Sequence, residues 1–185
     1  MLPAKEVFIL PCLSVLLLFS LAGPALADSV TGNKLQITKQ LAELKQTAAD
    51  LRHEADLLDS MTPNRHLSWQ SHADRLETLK DHVNEMGKSL AELEAQKAMA
   101  TQEQALGIEH VRLHLVPVAH NLTKAIELVN ENRSNVHRGE YGDTVSDIYA
   151  HAETLHTKLD TIIDYHNARM RFDRLELQPA LTSSE

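Results

Sequence analysis

The chain has 185 residues, a formal net charge of −8, 43 % hydrophobic and 4 % aromatic residues, and a single cysteine. An acidic chain is a poor partner for nucleic acid or an anionic membrane surface. One cysteine leaves no disulfide framework, no thiolate metal site and no C-x-x-C-H haem attachment motif.

The first thirty residues read as an export signal. Lys5 gives a short charged start, Val7 to Leu21 are almost wholly apolar, and Gly23-Pro24 break the run before Ala25-Leu26-Ala27 and the polar Asp28. Those are the three zones of a cleavable signal peptide over residues 1–27. The apolar core is shorter than the roughly 20 residues that a membrane-spanning helix needs, and no later segment is more apolar. Cleavage leaves 158 residues, one domain's worth, with no cysteine, since Cys12 lies in the signal. The mature protein is therefore expected to be exported, periplasmic or secreted, with no stable membrane span. Residues 28–178 form the expected folded domain, and 179–185, after Pro179, an expected disordered tail.

The mature chain is rich in strong helix formers and poor in Gly and Pro. Segment one, about Asn33 to Asp59, carries Ile37, Leu41, Leu44, Ala48, Leu51, Ala55 and Leu58 at alternating steps of four and three, a heptad seam. Thr62-Pro63 reads as a cap followed by a first helical residue. Segment two, about Ser68 to Met99, repeats the seam with Trp69, His72, Leu76, Leu79, Val83, Met86, Leu90 and Leu93. Segment three opens at Thr101-x-x-Gln104, a capping box. Its seam is Ile108, Val111, Leu115, Val118, Leu122, Ala125 and Val129, with Pro117 expected to kink it. After a turn with Gly139 and Gly142, segment four runs from about Thr144 to Leu175 on Val145, Ile148, Ala152, Leu155, Leu159, Ile162 and His166. Four such stripes predict an all-α, up-down-up-down antiparallel four-helix bundle. The alternative is an extended helical hairpin in which segments two and three form one continuous helix, because no Gly or Pro separates Glu94 from Leu106.

The unusual feature is histidine: all 11 lie in the mature chain. His110 and His114, four apart, share a helix face and can chelate one ion. If helix three begins where helix four ends, His166 stands level with them, so His110, His114 and His166 form the candidate metal site. A di-iron carboxylate site is disfavoured, because Glu153-x-x-His156 occurs once only. In fold class alone, the expected bundle resembles the soluble four-helix cytochromes. That resemblance implies b-type haem with His166 as an axial ligand. No Met precedes Met61 in the mature chain to serve as the second ligand, and the metal ion or haem remains a secondary expectation to no cofactor.

No spacing assembles a nucleophile, base and oxyanion hole, so a non-enzymatic protein is expected. Asn121-Leu122-Thr123 and Asn132-Arg133-Ser134 match glycosylation sequons, relevant only to a eukaryotic secretory route. The main functional expectation is an interaction module that binds a protein partner or itself through helical faces. The other is an acid-responsive, chaperone-like binder: protonation of every histidine would move the net charge from −8 to +3, and His72 and His166 occupy seam positions where a charge is costly.

Overall fold

The computed structural model describes residues 25–182 except Asn135 and Arg138, with side chains described over 32–175. The expected signal peptide, up to Pro24, lies outside the described residues. Four helices follow in order: α1 (Ala25–Met61), α2 (Trp69–Gln96), α3 (Gln102–Glu131) and α4 (Glu140–Thr182). A single 3₁₀ turn, Lys97–Met99, separates α2 from α3. Among the described residues there is no strand.

The helices form a four-helix bundle. Consecutive helices pack side by side, α4 closes the ring against α1, and α1 and α3 touch across the diagonal. Short connections between neighbours force the antiparallel order. Cross-links confirm the register: Glu54 with Arg75 at 2.7 Å joins α1 to α2, and Lys124 with Glu140 at 2.7 Å joins α3 to α4. Arg52 with Glu153 at 3.3 Å and Lys45 with Asp160 join α1 to α4. No described helix is long and apolar enough to cross a membrane.

The seams form the core. Every apolar seam residue of segments one and three is buried, as are all of segment two's apart from the half-buried Trp69. On α4 the burial stops at Leu159, and Ile162 and His166 are only half-buried. Two residues from the turn region, Val136 and Tyr141, join the core at the opposite end.

The α2–α3 boundary decides between bundle and long hairpin. Ala100 is extended at ψ 151, and Thr101 caps α3 with both halves of the capping box formed. Its Oγ1 accepts from Gln104 N at 3.2 Å, and Gln104 Oε1 accepts from Thr101 N at 2.8 Å. The helices are therefore separate. The amide of Gln104 then reaches α1, where Nε2 donates to the Lys34 carbonyl at 2.8 Å and to Thr38 Oγ1 at 2.9 Å. One side chain thus starts α3 and ties it to α1.

One local expectation is corrected. Pro63 does not begin a helix: it lies in a turn, Thr62 Oγ1 donates back to the Asp59 carbonyl at 2.8 Å, and Ser68 caps α2 instead. The Thr62 backbone N–H and hydroxyl both donate to the Asp59 carbonyl at the end of α1, so Thr62 finishes one helix rather than starting the next. Pro117 lies inside α3, which continues on both sides of it. The proline only removes the donor that would have bonded the Leu113 carbonyl. α4 is continuous past Pro179 to Thr182.

Candidate functional site

Six of the 11 histidines fall into three places, set by the register of the helices. The first is the end of the bundle where α3 starts. His166 Nε2 lies 3.5 Å from Thr38 Oγ1, beside the Gln104 tie. With Leu41, Glu103, Ile162 and Ile163 these residues bound a cavity of about 10 Å³, room for a single water. Glu103 also pairs with Arg169. Its own cap hydrogen bonds and the nearby cations hold the Glu103 carboxyl below its ordinary range.

The second place is the outer surface between α3 and α4. His110 and His114 stack one above the other, ring centroids 6.4 Å apart and planes 12° apart. His114 Nδ1 faces His151 Nδ1 at 3.5 Å. All three rings are half-buried, and His110 Nδ1 has no hydrogen-bond partner. Burial, followed by the neighbouring rings of His151 and His110, pushes the His114 imidazole below its ordinary value.

The expected trio is thus split. His110 and His114 share a face, as their spacing requires, but His166 is level with Gln104, six residues before His110 and about 9 Å away along the axis. The mismatch comes from helix length. α4 runs sixteen residues beyond His166, so its end does not coincide with the start of α3. Antiparallel register instead sets the middle of α3 against the first third of α4, and His151 takes the place given to His166. Counting outward from the α3–α4 turn would have pointed to that stretch. Among the described residues, no three His, Cys, Asp or Glu side chains form a ready metal-holding group.

The third place is the other end of the bundle, near the turns 62–68 and 132–139. His72 is fully buried, with Nδ1 3.1 Å from Tyr141 Oη. The His137 ring meets it edge-on at 5.7 Å. Neither His72 Nε2 nor His137 Nδ1 has a partner. Arg133 covers the Trp69 ring at 4.2 Å on the same end. Burial, and then the charge of His137, push the His72 imidazole below its ordinary value. Burial alone raises the Tyr141 hydroxyl. Both side chains are therefore neutral at neutral pH. His72 falls in the seam by its spacing; its partners, Tyr141 in the first turn of α4 and His137 in the preceding turn, are marked by no periodicity.

Haem does not fit these places. The cavity at His166 holds about one water, and Val111, Leu115, Leu155 and Leu159 fill the core beside His110 and His114. Comparison with known proteins adds no relative: no family model matches the chain, and no curated protein or solved structure matches it.

Proposed function

We propose that the chain is an exported, non-enzymatic interaction module that binds a second copy of itself through the outer end of α4. One observation carries this reading. Beyond His166 the apolar seam of α4 changes face. Arg169 and Asp173 take the positions where the seam would continue. Tyr165, Met170, Phe172 and Leu175 instead stand 57, 51, 61 and 65 % exposed. Tyr165, Ala168, Phe172 and Leu175 recur at steps of three and four, the spacing that a partner helix reads.

Charge favours a copy of this chain as the occupant. Arg171 and Arg174 flank this apolar strip, with Arg169 paired to Glu103 within the chain, whereas the whole chain is acidic. The acid-rich surface of a second copy complements this basic, apolar helix end. Export is the part of the reading supported by the N-terminal residues alone.

Sedimentation velocity of the mature chain tests it. The expected result is a concentration-dependent dimer that Phe172→Glu converts to monomer with unchanged helix content. A wild-type chain that stays monomeric at every concentration, or a dimer indifferent to Phe172→Glu, overturns it. Capture of a different, acidic helical protein by the same patch would also remove self-association as the function.

A second reading rests on His72. A titratable side chain fully buried in the seam, with one nitrogen unpartnered, supports an acid-responsive binder whose end near the turns loosens as His72 charges.

A further inference from the structure

We propose that His114 and His151 form a binding site for a late first-row divalent metal ion, zinc, copper or nickel, with His110 as its third imidazole. The site is distinct from the end of α4 and does not depend on the proposed self-association.

The argument is geometric. Two imidazole nitrogens bound to one tetrahedral zinc at 2.0–2.1 Å stand about 3.4 Å apart. His114 Nδ1 and His151 Nδ1 are already 3.5 Å apart, contributed by two different helices that the bundle holds in fixed register. Two neutral imidazoles at that distance make at most one long hydrogen bond, whose donor must be one of the two. An ion placed between them satisfies both lone pairs. Imidazole nitrogen is a ligand that zinc, copper and nickel favour over calcium or magnesium, which take oxygen.

His110 supplies the third ligand from one turn away. Its ring is stacked on His114, and its buried Nδ1 has no partner to give up. A turn of that side chain towards the pair completes three nitrogens on one ion, leaving a fourth position for water. The rings are half-buried at the surface rather than sealed in the core, so an ion can enter from solvent. The ammonium of Lys158 stands near enough to act on His114 by charge, but no lysine or arginine hydrogen-bonds to these nitrogens among the described contacts.

Isothermal titration calorimetry of the mature chain with zinc chloride tests the site, with cobalt(II) absorption as a second readout of the nitrogen donors. The expected result is saturable binding of one ion per chain. His151→Ala and His114→Ala should each weaken it by about tenfold or more, and His110→Ala by less. His166→Ala should leave it unchanged. Circular dichroism of each variant establishes that the bundle is intact. Absence of saturable uptake overturns the proposal. So does binding that survives His114→Ala and His151→Ala, which would mark adventitious binding to scattered histidines. Equal loss in His166→Ala would restore the trio read from sequence and overturn the His151 assignment.

Discussion

His72 Nδ1 and Tyr141 Oη lie 3.1 Å apart at the closed end of the bundle, a polar pair in which both side chains are almost completely removed from water. The pair joins α2 to the start of α4, and His137 packs on the same ring. Its pH behaviour follows from the direction of the shift. The folded His72 value lies below its ordinary 6.5, mainly through burial and secondarily through His137. Above that ordinary value both folded and unfolded chains hold the ring neutral, and the group contributes nothing to pH dependence. Below it the unfolded chain takes up a proton that the folded chain resists, so stability falls with pH until the folded value is passed. Thermal melting by circular dichroism at pH 7.5 and pH 5 is expected to show a lower midpoint at pH 5. His72→Leu should shrink the difference. An unchanged midpoint in the wild-type protein would remove the acid-responsive reading.

Tyr141→Phe isolates the hydrogen bond. It keeps the ring and its packing but leaves His72 Nδ1 buried without a partner. The expected loss is about 1–3 kcal/mol of unfolding free energy, measured by urea titration at pH 7.5. A loss close to zero would mean that His72 turns to another partner or admits water.

Gln104 makes a comparable test at the opposite end. Its amide accepts from Thr101 N and donates to Lys34 O and Thr38 Oγ1, so one truncation removes half of a capping box and a tie between α1 and α3. Gln104→Ala is expected to cost about 1–3 kcal/mol. Amide hydrogen exchange should speed up first in the opening turn of α3, the region that this side chain caps. Uniform change across all four helices would contradict a local role.

Gly107 separates close packing from helix preference. It is buried where α3 approaches α1 and α4. An added Cβ would meet Leu41 Cδ1 and Cδ2 at 3.5 Å and Ile162 Cγ2 at 3.7 Å, ordinary contact distances. Gly107→Ala is therefore expected to stabilise the bundle by about 0.5–1 kcal/mol through helix propensity. Gly107→Leu has no room and should destabilise it. Chemical denaturation of the two variants reads the difference, and a destabilised Gly107→Ala would show that the close approach depends on the bare backbone.

Export makes a separate prediction at the N-terminus. Intact-mass measurement of protein taken from its native compartment should place Asp28 first. That cleavage would remove the opening three residues of α1, Ala25 to Ala27, and leave its seam from Ile37 onward untouched. Retention of Met1 would rule out the signal peptide.

The sequence by itself determined the architecture. Steps of four and three place one apolar stripe on each helix, and the capping box at Thr101 that makes four helices rather than three is also written in the sequence. Leu44, Leu79, Val118 and Leu155 were each assignable to the core from position alone, and they are buried. The capping box at Thr101 and Gln104 was legible for the same reason, because it is built from residues three apart. What lies opposite what was decided only by the tertiary structure. Whether His166 or His151 meets His114 depends on how far α4 slides along α3, and a heptad pattern fits itself equally well at any whole-heptad shift. Tyr141 and His137 are set against His72 by the turn before α4, where no period repeats. Periodicity records which face of a helix is buried; it carries no information about register, and register brings the histidines together.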